Sequence, residues 1–141
     1  MNAVTKDLVE YFVAEGLGVK GGKTDWALYM NQEPASGKDN GPASDNVITL
    51  YDQAGQPPAR CINSQKTAFF TAFQIRARGN VQTDVRERLK LLRDKLTSIE
   101  GWLQLNGTDY MNFQPLSDMF LIARDDRQRW IWAVNYQVLR K

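Results

Sequence analysis

The stretch from Ala68 to Ile99 constrains this chain most, because its hydrophobic period changes from two residues to about 3.6 within a few positions. Phe69, Thr71, Phe73, Ile75 and Ala77 fall on one side, and Phe70, Ala72, Gln74, Arg76 and Arg78 on the other, which predicts a strand over Phe69 to Arg78 with one apolar face. Gly79-Asn80 breaks the alternation. Val81, Val85, Leu89, Leu92, Leu96 and Ile99 then recur at helical spacing, with Arg86, Arg88, Lys90, Arg93 and Lys95 largely between them. That pattern predicts an amphipathic helix with a basic outer side, capped by the Asn80 side chain and stopped at Gly101. The remaining segments read as elements packed against this pair.

A chain of 141 residues can enclose such a pair, since a compact domain of this size buries roughly 68–70% of the surface that its unfolded chain exposes. One domain over residues 1–141 is therefore expected. Hydrophobic residues make up 43% and charged residues 24%, which is ordinary globular usage. No run of about 18 apolar residues is present, and the N-terminus lacks a basic-then-apolar leader, so no membrane association is expected and the cytosol is the expected compartment. The chain contains no histidine, which excludes Ser-His-Asp and Cys-His catalysis and histidine-based zinc sites. A lone Cys61 cannot form an internal disulfide and reads as a small filler. Net charge is only +2, so any contact with nucleic acid would have to come from local patches.

Before the central pair, Val4, Leu8 and Phe12 give a first helix from Ala3 to Glu15 with Gly16 as its stop. The run Gly16 to Thr24 contains G-x-G-x-x-G at Gly16, Gly18 and Gly21, but it follows a helix where a dinucleotide fingerprint needs a strand, and Gly22 stands where the Walker pattern needs lysine. It reads as a flexible turn. Trp26 to Asn31 predicts a strand, as does Val47 to Asp52, which is closed by Gln53-Ala54-Gly55 and Pro57-Pro58. Between them residues 31–46 are rich in Gly, Pro, Ser, Asn and Asp without apolar period, which predicts a mobile loop or arm. A linker follows through Gln65.

Beyond the helix, Asn106-Gly107 predicts a tight turn and Tyr110 to Gln114 a short strand ending at Pro115. Phe120 to Arg124, a turn at Asp125-Asp126-Arg127, and Arg129 to Arg140 predict a terminal hairpin. Together these elements predict an α+β fold, a mostly antiparallel sheet with the two main helices packed on one face. The basic helix face reads as a solvated surface balanced by Asp84, Glu87 and Asp94, Asp118, Asp125 and Asp126 as turn residues before a metal or acid-base site, and Trp130, Trp132 and Tyr136 as core aromatics before a stacking platform.

Four segments carry a resemblance: Ile48 to Gly55 followed by Pro57-Pro58, Phe73 to Gly79 leading into the helix, Ala123 to Arg129, and Val134 to Val138. Their order resembles the tail terminator family of long-tailed bacteriophages, also labelled minor capsid proteins. In that family a strand ending Asp-x-x-Gly precedes a Q-x-R-x-R-G strand and a long helix, and an R-D-D/E turn precedes an aromatic strand with N-[FY]-x-V. The usual glycine of that turn is Gln128 here.

The resemblance implies a non-enzymatic structural subunit without cofactor or metal. It would form a ring, by family analogy a hexamer, on the head-proximal end of the tail tube, stop tube polymerisation and present the surface for head joining. Implied partners are other copies of the chain, the major tail tube protein, a head-completion protein and, transiently and without sequence preference, the passing DNA; its place is the virion, assembled in the host cytoplasm. Subunit or tube contacts are expected at Arg76, Arg78, Arg86, Arg124, Asp125, Asp126 and Arg127, and an assembly loop at Pro34, Lys38 and Asp39. The alternatives are a head-completion or neck protein, or a small nucleic-acid-binding module using the basic helix 81–99.

Overall fold

A computed structural model describes the chain apart from residues 1, 35, 37–40, 42, 55–58 and 61–66. Its elements, in order, are α1 (Val4–Ala14), β1 (Ala27–Met30), β2 (Val47–Gln53), β3 (Ala59–Arg60), β4 (Thr67–Gly79), α2 (Gln82–Thr97), β5 (Trp102–Leu105), β6 (Thr108–Pro115), β7 (Phe120–Arg124) and β8 (Trp130–Arg140). The sheet runs β1-β2-β4-β8-β6-β5, with β3 on β4 and β7 on β8. Its centre is the antiparallel β4·β8 pair, in register from Phe69↔Arg140 to Gly79↔Trp130. The far edge of β8 is shared end to end by β6, at Tyr110↔Arg140 to Pro115↔Tyr136, and β7, at Phe120↔Ala133 to Arg124↔Trp130.

The fold is α+β, but the sheet is mixed and not mostly antiparallel as expected. The reason lies in β1, which pairs with β2 in parallel from Ala27↔Val47 to Met30↔Leu50. A parallel neighbour needs a crossover of a dozen or more residues, and residues 31–46 supply that length. The long polar segment, read from sequence as a mobile loop or arm, is the connection between these two parallel strands. The helices meet different strands: α1 contacts β1, β2 and β4, while α2 contacts β4, β6 and β8.

Both helices contribute to one buried cluster, α1 through Val4, Leu8 and Phe12 and α2 through Val85, Leu89, Leu92 and Leu96. Phe73, Ile75 and Ala77 of β4 and Val134, Tyr136 and Val138 of β8 join it, with Trp132 packed against it. Phe73 stacks on Tyr136 at 5.5 Å between ring centroids and meets Phe113 edge-on at 6.4 Å.

Two local expectations resolve differently. The Asn106-Gly107 turn forms as expected, with both residues at positive φ (50° and 80°) joining β5 to β6. Asn80 does not cap α2: the capping position is Val81, without a side-chain bond, and Asn80 Nδ2 donates instead to Asp45 Oδ2 at 3.2 Å. Gly79 is required by close approach, since a Cβ there would stand 2.6 Å from Asn46 Oδ1 and 2.8 Å from Val85 Cγ2.

Candidate functional site

Alternation along β4 places Gln74, Arg76 and Arg78 opposite the apolar cluster, on the strand's polar side. The structure covers much of that side. Arg78 is 3% exposed, and its guanidinium donates to backbone carbonyls of the crossover: NH1 to Pro34 at 2.8 Å, NH2 to Ser44 at 3.2 Å and Nε to Asp45 at 3.3 Å. A buried guanidinium is tolerable only when its donors are satisfied, and here they in turn satisfy carbonyls of an irregular segment. Burial, and after it the charge of Arg129, lowers the Arg78 pKa from its ordinary value. The crossover carries further order of its own: Ser36 is buried and bridged to Ala43, and Gly41 N–H donates to the Ser36 carbonyl at 2.7 Å.

A second buried arginine completes the arrangement. Arg129, just ahead of β8, is 6% exposed. It donates through Nε to Asp125 Oδ2 at 2.7 Å and through NH1 to Asp45 Oδ1 at 3.0 Å. Asp125 also accepts the backbone N–H groups of Arg127 and Arg129 on Oδ1, each at 3.0 Å, which closes the β7–β8 turn. Burial works to raise the Asp125 pKa, but the bonds and charge of Arg129 outweigh it and hold the carboxyl below its ordinary value. The crossover, the end of β4 and the β7–β8 turn are thereby tied together. Asp45, Asn80, Arg127 and Arg129 line an open hollow of about 260 Å³ there.

The residues singled out from sequence are distributed around this network. Arg78 and Asp125 lie inside it, so neither side chain offers a free contact surface. Arg76 is half-buried, bonded to Gln74 Oε1, 3.5 Å from Glu33 and 4.5 Å above the Tyr51 ring. Arg124 is exposed but folds back over Trp130 at 4.4 Å and donates to the Gln128 carbonyl at 3.0 Å. Asp126 and Arg127 are exposed at the turn, and Arg86 is exposed on α2 with its guanidinium 5.0 Å above Trp132. Pro34, expected in a mobile assembly loop, is buried, and its carbonyl accepts from Arg78. Lys38 and Asp39 lie outside the described residues.

The basic side of α2 is not a bare row of cations. Arg88 lies 5.3 Å over Trp26, Arg93 pairs with Asp118 at 3.2 Å, and Lys95 pairs with Glu15 at 3.0 Å, which ties α2 to the end of α1. Asp118 and Asp125 thus serve separate arginines, and among the described residues no group of three or more His, Cys, Asp or Glu gathers in a way that could hold a metal ion.

Sequence reading missed Arg129 and Asp45, and it missed Asp7. Asp7 is fully buried in α1 and accepts from Asn2 Nδ2 at 3.2 Å, Asn106 Nδ2 at 2.8 Å and the Tyr110 hydroxyl. Burial, with Asp7 as hydrogen-bond acceptor behind it, raises the Tyr110 pKa. One signal was available: Asp7 sits three residues after Val4 and next to Leu8, on the apolar side of its helix.

The two rims of the sheet differ as well. On the outer side of β1 the glycine-rich run lies alongside as a cover: Leu28 N–H donates to the Val19 carbonyl at 2.8 Å and Gly21 N–H to the Leu28 carbonyl at 3.1 Å. Gly18 allows this approach, since a Cβ there would stand 2.7 Å from the Trp26 carbonyl oxygen. The run is an edge cover and not a phosphate loop. At the other rim β7 pairs, among the described residues, only with β8, and Leu121 and Ile122 are 44% and 37% exposed. Among the described residues no helix is long and apolar enough to cross a membrane.

Comparison with protein families adds one finding: a family model described as "Bacteriophage tail terminator protein" matches residues 12–141. No curated protein matches the chain.

Proposed function

Because the chain belongs to the bacteriophage tail terminator proteins, a family of structural virion components not known as enzymes, we propose that it closes the finished tail tube as a ring. The ring, a hexamer by analogy with the family, caps the head-proximal end, stops addition of the major tail tube protein and offers the surface to which a head-completion protein joins. DNA passes through its hole with brief contacts that read no sequence. Assembly takes place in the host cytoplasm, from subunits that are each one domain of residues 1–141.

The observation that carries this reading is the family match from residue 12 to residue 141, which takes in the β4–α2 centre and the whole terminal hairpin. The geometry is consistent with a contact surface: charged groups stand around the β7–β8 turn and along α2. Arg76, Arg86, Asp126 and Arg127 would meet a neighbour or the tube, and Arg124, folded back over Trp130, would act by holding the β7–β8 turn. Arg78 and Asp125 would act indirectly, by fixing the crossover and the turn, and Pro34, Lys38 and Asp39 belong to the crossover that would lie against the assembly partner.

The test is a phage in which this protein is withheld and then resupplied. Without it, tails should be of irregular length and unjoined to heads; purified protein should restore uniform, head-bearing tails, with rings seen on tube ends by negative-stain microscopy. Normal virions assembled in its absence would refute the proposal.

A further inference from the structure

A strand at the rim of a sheet leaves alternate N–H and C=O groups unpaired and is a template for another strand unless it is covered. Among the described residues one rim here is covered and the other is bare. In the bridge Lys20↔Leu28 the Val19 carbonyl and the Gly21 N–H face β1, so the N–H and C=O of Lys20 itself point outward. Val19 is 44% exposed on this rim, and Lys20 and Lys23 are exposed there, with no carboxylate partner among the described residues. On the opposite rim β7 has an open edge with exposed Leu121 and Ile122, and a bulge between Leu121 and Ala123. Asp126, at the end of that edge, is exposed and makes no hydrogen bond or ion pair among the described residues, whereas Arg124 is turned back onto its own turn.

We infer that the rim segment 18–23 of one copy docks along β7 of the next copy. Lysines 20 and 23 face Asp126, Val19 meets Leu121 and Ile122, and the outward backbone groups of Lys20 pair with those of β7. The two surfaces are different patches on opposite rims, so the contact is head-to-tail, the kind that generates a ring when its rotation closes. The inference rests on the ring reading above and names the surfaces that build it.

The experiment uses cysteines at the two rims in a Cys61→Ser background, Val19→Cys and Ile122→Cys in one chain, with a short bismaleimide added to rings formed on purified tails that lack the protein. A ladder of linked subunits is expected on tails, and mixing the two single-cysteine proteins should give only 19-to-122 links. Leu121→Cys replaces Ile122→Cys if that variant folds poorly. Asp126→Lys should lower the yield about fivefold, the scale of an exposed ion pair made repulsive, and Lys20→Asp with Lys23→Asp should restore it. Rings visible on tails without 19-to-122 links, or links from residue 122 to the tube protein instead, would overturn the docking surface and leave the ring standing. Failure of any ring to form on tails would overturn both.

Discussion

The two faces of the β4·β8 ribbon are both buried, but they are held by different physics. On one, Phe73, Ile75 and Ala77 lie beside Tyr136, Val134 and Trp132 and join a cluster whose cohesion is non-directional and proportional to area. On the other, Gln74 Nε2 donates to Asn135 Oδ1 at 2.9 Å, and Arg78 and Arg129 are enclosed by carbonyls and carboxylates. Each polar group there needs a named partner, because a buried donor or acceptor left alone costs its full desolvation. An apolar face therefore tolerates exchange of shapes, whereas the polar face fixes the positions of Pro34, Ser44 and Asp45 by directed bonds.

The largest expected effect is on the apolar face. Leu92 is fully buried among the α2 residues of the cluster, and Leu92→Ala should cost about 2–5 kcal/mol through lost transfer energy and the cavity left behind. Chemical denaturation measures this directly. An unchanged midpoint would break the claim that α2 supplies the apolar side of the molecule.

A smaller and more local loss is expected on the polar face. Arg78→Met keeps the aliphatic stem but removes the donors held by the carbonyls of Pro34, Ser44 and Asp45, at about 1–3 kcal/mol. Its signature should be regional: amide exchange of residues 41–46 should speed up more than that of α2. Uniform acceleration across the chain would show that Arg78 supports the whole fold and not the crossover in particular.

This contrast also explains what the sequence makes legible. α1, β4, α2 and β8 are readable because burial imposes a period on neighbouring residues, β2 because its continuously buried run is closed by turn residues, and Asn106-Gly107 because a local turn demands its residues. The parallel partner of β1 was not, since pairing across residues 31–46 leaves no local pattern beyond the length of the connection. Arg76 and Arg78 are equivalent by alternation, yet one remains half-exposed and the other is enclosed, because only Arg78 lies under Pro34 and Ser44. Asn80 had the right chemistry and position for a cap, but Asp45, distant in sequence, takes its amide. Of the candidate site, the turn at Asp125 could be read and its partner Arg129 could not. The rim left open among the described residues is invisible from sequence, because the apolar run of β7, Phe120 to Ala123, reads like that of an inner strand.

The smallest effect is expected at the β7–β8 turn, and it should be a gain. Gln128 adopts φ 62°, a left-handed conformation that costs a residue with a Cβ roughly 1–2 kcal/mol. It occupies the place where the resemblance puts a glycine. The contacts holding it are made by its backbone: its N–H donates to the Asp125 carbonyl at 2.9 Å and its carbonyl accepts from Arg124 at 3.0 Å, so glycine would keep both. Gln128→Gly gives back about 0.5–1 kcal/mol of that relief by loosening the unfolded chain. A net stabilisation of about 0.5–1 kcal/mol remains, visible as a raised melting temperature with ring assembly on tails retained. A lowered melting temperature would mean that the Gln128 side chain holds the turn, and the strain assigned to this position would have to be withdrawn.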